Sequence, residues 1–594
     1  MVPFAPPARD MSFALQTVVG LDRLAALEGR ETASEELIGA VLDEAGKLCA
    51  DVLAPLNDVG DREPSRLENG TVRTPRGFRD AYKTYAAGGW NGLPVEQAFG
   101  GQGLPWPLHA AVMEMVQASN LSFGLCPMLT QGAIEALLAH GSDAQRAIYL
   151  DKLLSGEWTG TMNLTEPQAG SDLAQVRTRA ERKDGHYRLF GQKIFITWGD
   201  NDVADNVVHL VLARTPDAPP GVKGISLFLA PKFLVKPDGS LGERNDLRPV
   251  SLEHKLGIHA SPTCVMSFGD NDGAIAYLVG EENRGLECMF TMMNNARLAV
   301  GLQGVAIAER AYQQARDYAR TRVQGRAVDG KTGTIIIHPD VRRMLLTMRA
   351  LTEASRALAY LAYLALDEAK HAPTAEARKA AQARVDLLTP VVKGWSTDIG
   401  NEVASLGVQI HGGMGFIEET GAAQHFRDAR ILPIYEGTNG IQANDLAFRK
   451  VLRDGGESAR IFIDEIRIFL KQIADLPGDD IAGIGYGLAA AVGVLEKATE
   501  WLLETGKSDQ YAVASASVPY LELFGLVGGG YVMAKMARAA VDGLSQRGAD
   551  TAFLESKLLT ARFYVEAILP KTEGLMQPIT AAHRSIRAFA DESF

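Results

Sequence analysis

Residues 162–173, Met-Asn-Leu-Thr-Glu-Pro-Gln-Ala-Gly-Ser-Asp-Leu, stand where the periodicity of the chain changes. Before them, from about residue 35 to residue 157, apolar residues recur every three or four positions, which is typical of amphipathic helices. After them, to about residue 280, short apolar or alternating runs lie between Asp, Pro and Gly, which is typical of an antiparallel sheet. The stretch itself is a loop of Pro, Gly, acidic and hydroxyl residues, which offers hydrogen-bond donors to a polar or anionic ligand.

Helical periodicity returns beyond the β segment, near residue 284, and an apolar stripe over residues 341–364 predicts a long helix in a bundle. Residues 453–458 are the best candidate for a linker, and a second helical block follows them. The predicted fold is therefore α+β and multidomain. Its parts are an N-terminal α-helical domain (residues 1–157), a middle antiparallel β domain (158–281), a C-terminal four-helix-bundle domain (282–450) and an additional C-terminal helical domain (451–594).

Length and composition limit the classes of protein to which the chain can belong. A length of 594 residues, at roughly 150 residues per domain, agrees with four domains. A content of 46% hydrophobic and 22% charged residues excludes a disordered chain, a collagen-like fibre and a small disulfide scaffold. The net charge of −12, from 60 basic and 72 acidic residues, has the wrong sign for a protein wrapped in nucleic acid.

The sequence also bears on the compartment. No run reaches the roughly 18 consecutive apolar residues of a membrane helix, so we expect no membrane span. The first 20 residues lack the pattern of a secretory signal, and the four cysteines form no CxxC pair. We therefore expect a cytoplasmic protein with reduced, buried thiols.

One phosphate-loop pattern is a false lead. Residues 325–332, Gly-Arg-Ala-Val-Asp-Gly-Lys-Thr, match it, but such a loop binds phosphate only between a buried strand and a helix. A polar helical stretch precedes this one and His338-Pro339 follows, so we interpret it as an exposed turn. The 11 histidines show no HExxH motif, and no metal site is predicted. His411, beside Gly412 and Gly413, could pack in the interior or contact a ligand.

Two further segments are hard to explain by packing alone. Residues 191–197, Gly-Gln-Lys-Ile-Phe-Ile-Thr, would bring an aromatic ring and a hydroxyl group close to whatever the 162–173 loop binds. Residues 430–442 place a single carboxylate in an apolar run and follow it with a glycine.

That carboxylate, Glu436, is the candidate general base. Burial among Ile434, Tyr435 and Ile441 would raise its pKa toward the range useful for proton abstraction. Gly437 lacks a side chain and would let a substrate approach the backbone. Taken alone, Glu436 could equally be a solvated loop acid.

Together these segments resemble the acyl-CoA dehydrogenase family over about residues 35–450, in the same helix–sheet–helix order. Five motifs in the family's order carry the resemblance. They are Thr-Glu-Pro-x-Ala-Gly-Ser-Asp at 165–172, Gly-Gln-Lys-x-x-Ile-Thr at 191–197, His-Lys-Leu-Gly-Ile-His-Ala-Ser-Pro-Thr at 254–263, Gln-Ile-His-Gly-Gly-Met-Gly-Phe at 409–416 and Tyr-Glu-Gly-Thr at 435–438.

The resemblance implies FAD-dependent α,β-desaturation of an acyl-CoA thioester to the trans-2-enoyl-CoA. Glu436 stands where the family keeps its base and would remove the α-proton, while the β-hydrogen leaves as hydride to flavin N5. The developing enolate would be stabilised by the backbone N–H of Glu436 and a ribityl hydroxyl, an oxyanion-type interaction.

The resemblance also implies positions for the two ligands. Arg322 would reach the flavin of a neighbouring subunit. The implied FAD-binding residues are Met162, Leu164, Thr165, Gly170, Ser171, Phe195, Ile196, Thr197, Arg322, Gln409, Gly412, Gly413 and Thr438. The implied acyl-CoA-binding residues are Ser171, Asn294, Arg297, Glu436 and Gly437.

Some positions depart from the family's pattern. Many members have Trp where Phe195 stands and Tyr or Phe where Met162 stands, so stacking on the flavin is lighter here. Asn294 stands at a position where an acidic residue is common in the family. Ala296 occupies the alternative base position of isovaleryl-type members, which favours Glu436 as the base and disfavours a branched short-chain substrate. About seven extra residues after Arg322 contain the phosphate-loop lookalike.

Residues 451–594 exceed the minimal family fold, and we expect breaks in them at Pro477-Gly478, at Pro519 and at residues 528–530. They resemble the extra helical domain of long bacterial members that act on 3-methylmercaptopropionyl-CoA or on fatty acyl-CoA over a broad range. An alternative is the alkylation-response flavoprotein, which binds DNA through a basic C-terminal region. With 14 Lys and Arg against 19 Asp and Glu, this block has a net charge of −5, which disfavours that alternative.

The family resemblance implies an electron-transfer flavoprotein as electron acceptor and a homodimer or homotetramer. Attachment to a membrane through the apolar residues 523–527 and 531–533 is disfavoured, because their flanks lack the Lys and Arg of an interfacial helix. Packing against the core or a second subunit is the favoured interpretation.

Overall fold

The computed structural model describes residues 3–31 and 33–594. The chain divides into two compact units. The helical unit contains the chain up to Asp43, Pro105–Glu114 and Arg297–Phe594, and the sheet unit contains Glu44–Leu104 and Met115–Ala296. The four-domain boundaries drawn from the sequence stay a prediction.

The N-terminal part of the chain is helical with one small hairpin, which the sequence had not indicated. The elements are α1 (Ala8–Ala14), α2 (Leu21–Ala25), α3 (Glu35–Leu48), α4 (Pro55–Arg62), β1 (Arg66–Glu68), β2 (Thr71–Arg73), α5 (Phe78–Ala87), α6 (Trp106–Ser119), α7 (Leu121–His140) and α8 (Asp143–Leu154). Strands β1 and β2 pair antiparallel around the turn Asn69-Gly70, where both residues have positive φ. Asn-Gly is the strongest local hairpin signal, and the sequence analysis did not use it at this position.

The sheet unit is built on an eight-stranded sheet. Its strands are β3 (Trp158–Asn163), β4 (Arg179–Lys183), β5 (His186–Thr197), β6 (Asn206–Ala213), β7 (Ser226–Pro231), β10 (Leu247–Leu252), β11 (Thr263–Phe268) and β12 (Ala274–Val279), while β8 (Phe233–Val235) and β9 (Leu241–Arg244) form a separate hairpin. The order is β10-β11-β5-β12-β7-β6-β3, with β4 also paired to β5. All pairs are antiparallel except β3–β6, which is parallel.

Helix α7 covers one edge of this sheet at very short range. A Cβ added at Gly160 of β3 would lie 2.4 Å from the Cβ of Ala133 on α7. The Thr130 hydroxyl of the same helix accepts a hydrogen bond from the Gly160 N–H at 3.1 Å. The glycine therefore lets α7 pack directly against the strand that leads into the 162–173 loop.

The remaining helices, apart from the first turns of α9, belong to the helical unit. They are α9 (Gly285–Thr321), α10 (Pro339–His371), α11 (Ala375–His411), α12 (Ala422–Ala429), α13 (Asn439–Asn444), α14 (Glu457–Ile473), α15 (Asp479–Thr505), α16 (Gln510–Leu544), α17 (Thr551–Phe563) and α18 (Lys571–Ala588). The predicted stripe on α10 is buried from Met344 onward. The predicted linker is a tight turn between Leu452 and Glu457.

Helix α16 corrects two of the three breaks expected in the C-terminal block. Pro477-Gly478 does separate α14 from α15, but Pro519 and residues 528–530 lie inside the continuous α16. The glycines serve close packing instead: a Cβ at Gly529 would lie 2.4 Å from the Tyr564 hydroxyl, and one at Gly525 would lie 2.3 Å from Cγ of Trp395. Burial against these large side chains outweighs the weak helix propensity of glycine.

The N-terminal segment is fastened to the C-terminal helices within the helical unit. Lys557 of α17 is buried, forms an ion pair with Asp10 of α1 and another with Glu353 of α10 at 3.0 Å. Arg9 lies over the Phe553 ring at 3.9 Å. Three regions far apart in sequence thus meet at one buried lysine.

The phosphate-loop lookalike is an exposed hairpin, as predicted. Strand β13 (Val323–Arg326) pairs antiparallel with β14 (Thr332–Thr334), and the turn between them is solvent-exposed. A short helical turn and then α10 follow β14, so Lys331 does not stand at the start of a helix.

Among the residues that the structure describes, three helices are long and apolar enough to cross a membrane by length and composition. They are Leu121–His140, Asp479–Thr505 and Gln510–Leu544. Protein buries 94% and 72% of the apolar window of the first and third, but 39% of that of the second. The expected absence of a membrane span therefore stays a prediction.

Candidate active site

The motif loop, which we define as residues 162–172, leaves the end of β3 in the sheet unit. Met162 is buried as the penultimate residue of the strand, and Leu164 and Thr165 are half-buried just beyond it. Gly170 and Ser171 are exposed at the far side of the loop. The loop therefore presents hydroxyl groups at its surface above an apolar base.

The buried Glu166 fixes the motif loop to its neighbours in the sheet unit. Its carboxylate accepts hydrogen bonds from the Arg177 and Thr178 N–H groups at 2.8 and 3.0 Å and from the Thr178 hydroxyl at 2.6 Å. Lys193 of β5 forms a buried ion pair with it at 2.8 Å and also donates to the Leu164 carbonyl at 2.9 Å. The lysine therefore ties both the acid and the backbone of the loop to the central strand.

Burial and partners act in opposite directions on this pair. Burial alone would raise the pKa of Glu166, but Lys193, Thr178 and the Arg177 N–H stabilise the carboxylate and hold its pKa below the usual value. Burial lowers the pKa of Lys193 to about 8 against the opposing effect of Glu166. Glu166 is therefore an ionised structural residue and no proton acceptor for a substrate.

A bulge in β5 places Phe195 on the surface. The pairing of β11 with β5 shifts register between Cys264 and Met266, so that two residues of β5 face one of β11. Lys193 and Ile196 consequently both point inward, while Phe195 is 58% exposed and adopts a φ of +58°. Bulges commonly re-aim a side chain near an active site, and a non-glycine residue in this region stores strain.

The surface made by the motif loop and β5 fits the flavin that the family resemblance implies. It offers the exposed aromatic ring of Phe195 and the half-buried hydroxyl groups of Thr165 and Thr197. The buried side chains of Met162 and Ile196 form an apolar layer beneath them. Flat heteroaromatic rings are bound by such a combination of an apolar face and a few hydroxyl donors. The predicted residues 162–171 and 195–197 therefore lie together in the sheet unit.

The carboxylate loop, which we define as residues 434–442, belongs to the helical unit. Glu436 has a φ of +54° and Gly437 a φ of +83°, so two successive residues are left-handed. The first is a strained conformation for a glutamate, costing about 1–3 kcal/mol. Such strain persists only where the surroundings fix the backbone.

Helix α11 supplies the fixing contacts. The Lys393 ammonium donates to the Gly437 carbonyl at 2.7 Å and to the Asn439 side-chain oxygen at 3.0 Å. Asn439 donates in turn to the Gly394 carbonyl at 3.0 Å and to Asp398 at 2.8 Å. The Gln442 amide donates to the Glu436 carbonyl at 3.3 Å. The left-handed turn is therefore held on both sides.

Glu436 itself is half-buried, and its pKa is raised. Burial is the main cause, and the cations of Arg297 and Lys393 act against it. The expected apolar shell is only partly correct: Tyr435 lies inward and donates a hydrogen bond to Gln303, but Ile434 and Ile441 are 48% and 39% exposed. The two isoleucines therefore do not enclose the carboxylate as the sequence predicted.

The two predicted residues of α9 differ in their surroundings. Asn294 is half-buried and belongs to the sheet unit. Arg297 is buried in the helical unit, where burial lowers its pKa and the charges of Asp445 and Glu436 oppose that effect. Arg297 is thus electrostatically coupled to the carboxylate loop. Ala296 is buried and offers no alternative base.

The remaining predicted cofactor residues lie at the surface of the helical unit. Arg322, Gln409, Gly412 and Gly413 are exposed, and Thr438 caps the start of α13 by accepting from the Ile441 N–H at 3.3 Å. His411 is buried, bonds to the Gly407 carbonyl at 2.7 Å and stacks on Tyr318. Of the two roles left open for His411, the packing role is the one the structure supports.

Sequence reasoning gave no role to three residues of these loops, Glu166, Lys193 and Lys393. Glu166 and Lys193 stand inside the first two motifs, and their opposite charges were a usable signal. Lys393 is the sole charge in the otherwise apolar and polar-neutral run from Leu387 to Thr397, which is itself a signal, because a buried charge needs partners.

A cavity of about 590 Å³ opens elsewhere in the helical unit, beside Ile481, Ile484 and Val541. Its one basic group, Arg562, is engaged by Asp480 and Glu566 at 3.0 and 2.7 Å. Of the described residues that line this cavity, none belongs to the predicted site. None of the sequence motifs reaches this cavity, so the motif loop and the carboxylate loop remain the candidate regions.

Comparison with known families accounts for most of the chain. The models that match are the N-terminal domain of acyl-CoA dehydrogenase over residues 39–157, its middle domain over residues 161–271, its C-terminal domain over residues 283–450 and an acetyl-CoA dehydrogenase C-terminal-like domain over residues 462–590.

Similar proteins and structures were also found. The chain is 51% identical to 3-methylmercaptopropionyl-CoA dehydrogenase of Ruegeria pomeroyi, covering 97% of this chain and 98% of that protein. It is 33% identical to a broad-specificity linear acyl-CoA dehydrogenase of Mycobacterium tuberculosis, covering 99% of each. Its fold resembles the crystal structure of an acyl-CoA dehydrogenase complexed with FAD from Bacillus anthracis, with a TM-score of 0.74 and 20% identity over 95% of this chain and 92% of that one.

Proposed function

The chain belongs to the acyl-CoA dehydrogenase family, and from this premise we propose that it desaturates 3-methylmercaptopropionyl-CoA with Glu436 as the catalytic base. Like its family, it is an FAD-dependent oxidoreductase. The observation that carries the assignment of the base is the half-buried Glu436, held in a left-handed turn with a raised pKa.

The proton-transfer step falls to the carboxylate loop. The thioester carbonyl acidifies the α-proton, and a carboxylate oxygen of Glu436 accepts it. A base whose pKa is raised is matched more closely to a weak carbon acid than a solvated glutamate is. Negative charge then develops on the thioester oxygen, where the Glu436 N–H would donate, an interaction of the oxyanion-hole kind. Gly437 leaves the backbone accessible to the thioester.

The sheet unit holds the cofactor in this proposal. Bound flavin supplies the acceptor for the β-hydrogen. Phe195, Thr165 and Thr197 orient the ring system, while the buried Met162 and Ile196 exclude water from its apolar side. The remaining contacts are assigned as the motifs imply: Leu164, Gly170, Ser171, Arg322, Gln409, Gly412, Gly413 and Thr438 to FAD, and Ser171, Asn294, Arg297 and Gly437 to acyl-CoA.

The choice of substrate rests on similarity along the full length. The 51% identity to the Ruegeria enzyme extends over 97% of the chain, so the similarity continues into the C-terminal block that the minimal fold lacks. A fatty acyl-CoA is the second candidate, because the mycobacterial broad-specificity enzyme covers the same length at 33% identity. The DNA-binding alternative has no support, since the C-terminal block is acidic and matches a dehydrogenase-like domain.

Partners and setting complete the proposal. We place the enzyme in the cytoplasm as a homodimer or homotetramer that passes electrons to an electron-transfer flavoprotein. The exposed Gln409, Gly412 and Arg322 are then available to the flavin of a neighbouring subunit.

A substrate panel tests the proposed specificity. Purified enzyme should be yellow, and its flavin absorbance should bleach when acyl-CoA is added without oxygen. We expect kcat/KM for 3-methylmercaptopropionyl-CoA to exceed that for straight-chain acyl-CoAs of four to sixteen carbons by at least tenfold. A higher value for a straight chain would replace the first substrate by the second, and a colourless protein without FAD would overturn the function itself.

A further inference from the structure

The hydrogen-bond pattern of Lys393 singles it out among the buried groups of the helical unit. It is buried in the middle of α11, a helix whose neighbouring side chains are apolar or neutral. Its ammonium donates to the carbonyl of Gly437, the residue directly after Glu436, and to the side chain of Asn439. In the described residues, no carboxylate lies within ion-pair distance of it.

We propose that Lys393 is a positioning residue for the reaction: it holds the left-handed Glu436-Gly437 turn and directs a positive charge at the base. This inference rests on the proposed function, in which Glu436 accepts the proton. Without the bond to the Gly437 carbonyl, the turn would lose the contact that offsets its strain. Without the charge, the Glu436 carboxylate would lose one of the two cations that oppose its burial.

Other charged groups also act on the turn and on Lys393. Arg297 of α9 is the second cation that acts on Glu436. Asp398 of α11 acts on Lys393 and is itself influenced by Glu522 of α16 and Arg430. Asp398 accepts a hydrogen bond from the Asn439 amide, which stabilises its carboxylate.

The two roles of Lys393 predict separate observables. Loss of positioning lowers the rate of α-proton abstraction at every pH, because a smaller fraction of the molecules holds the Glu436 carboxylate in the reactive position. Loss of charge raises the pKa of Glu436 and moves the acid limb of the pH–rate profile to higher pH. Opposite charges at close range typically shift a carboxyl pKa by about one unit or more, so a shift of about one pH unit is expected.

The test follows proton abstraction without oxidation. Ethylthioacetyl-CoA has α-protons but sulfur in place of the β-carbon, so it has no β-hydrogen to lose. FAD-loaded enzyme is incubated with it in deuterated buffer between pH 5 and 9, and α-deuterium uptake is followed by mass spectrometry. We expect Lys393→Met to lower the plateau rate and to move the acid limb upward by about one pH unit. Lys393→Arg should restore the position of the limb.

A matched control separates a local effect from general damage. Lys535 is another largely buried lysine whose pKa burial lowers to about 8, and it donates to the Val18 carbonyl at 2.9 Å. Lys535→Met should leave the profile of exchange against pH where it is in the wild type. Should Lys393→Met fail to retain FAD, Lys393→Gln is measured in its place against Lys393→Arg.

Two outcomes would overturn the inference. The first is that the Lys393 variant exchanges α-protons with the same plateau rate and the same acid limb as wild type. The second is that Lys535→Met moves the acid limb as far as Lys393→Met does. Failure of the proposed function looks different. If Glu436→Gln exchanges α-protons as fast as wild type, Glu436 is not the base, whatever the Lys393 variants show.

Discussion

Two buried lysines hold two candidate loops, one in each unit of the chain, and they do so with different partners. Lys193 in the sheet unit donates to the Leu164 carbonyl and forms an ion pair with Glu166. Lys393 in the helical unit donates to the Gly437 carbonyl and to the neutral side chain of Asn439. Burial lowers the pKa of both ammonium groups to about 8.

The two lysines differ in the group on which their positive charge acts. The charge of Lys193 is neutralised by its own acid, and the pair is 0% and 3% exposed, so it serves as a rigid tie. In the part of the chain that the structure describes, no acid forms an ion pair with Lys393, and its charge acts on Glu436. The ion pair ties the motif loop to β5, whereas Lys393 is, in our proposal, the residue that positions Glu436.

Breaking the ion pair in the sheet unit should have the largest effect on stability. Glu166→Ala leaves the buried Lys193 without its counter-ion, and removing one partner of a buried pair costs about 3–5 kcal/mol. The free energy of unfolding in urea should fall by that amount, and FAD should dissociate more readily. The double variant Glu166→Leu with Lys193→Met should be more stable than Glu166→Ala. If Glu166→Ala has the same free energy of unfolding as wild type, the ion pair between Glu166 and Lys193 does not stabilise the sheet unit.

The left-handed turn of the carboxylate loop gives a smaller, catalytic effect. In Gly437→Ala the new Cβ would stand 2.7 Å from the Gln442 amide nitrogen at a φ of +83°, a strain of about 1–3 kcal/mol. The rate of flavin reduction should fall at least tenfold, with FAD still bound. Gly440→Ala is the matched control, because its φ is not positive and the nearest atom to its Cβ lies at 3.8 Å. Equal rates for the two variants would contradict a strained turn.

The two glutamates should also respond differently to pH. Partners hold the pKa of Glu166 below 4.5, so its contribution to stability is present above the pKa of the unfolded chain and is lost only as pH falls through the lower, folded value. Burial raises the pKa of Glu436 above 4.5, so the base becomes protonated at a higher pH. Flavin reduction should therefore decline, as pH is lowered, before FAD binding and thermal stability do. Parallel loss of rate and stability would contradict the distinction.

The order of helical and β segments could be predicted from the sequence, and the fold confirms it. Glu436 and Phe195 were proposed as site residues because their neighbours match a family pattern, not because periodicity marked them. The bulge in β5 escaped the sequence, because a single extra residue does not alter the composition of a strand. The parallel β3–β6 pair escaped it as well, since local alternation does not determine which strands become neighbours.

Tertiary contacts explain the errors. Residues 528–530 have the composition of a helix break, but Leu358, Tyr564 and Leu569, all distant in sequence, pack closely against them inside α16. The isoleucines beside Glu436 looked like a buried shell, yet the residues that act on the carboxylate are Arg297 and Lys393, 139 and 43 positions upstream. Such long-range pairs are not encoded in any local pattern.

The central claim is that Glu436 abstracts the α-proton, and replacing its carboxylate by an amide tests this most directly. Wild type and Glu436→Gln, both loaded with FAD, are mixed with 3-methylmercaptopropionyl-CoA in the absence of oxygen, and flavin absorbance is recorded. General bases contribute about 10²–10⁴-fold, so the variant should keep its yellow colour and bleach at least a hundred times more slowly. Bleaching of the variant at the wild-type rate would contradict the assignment.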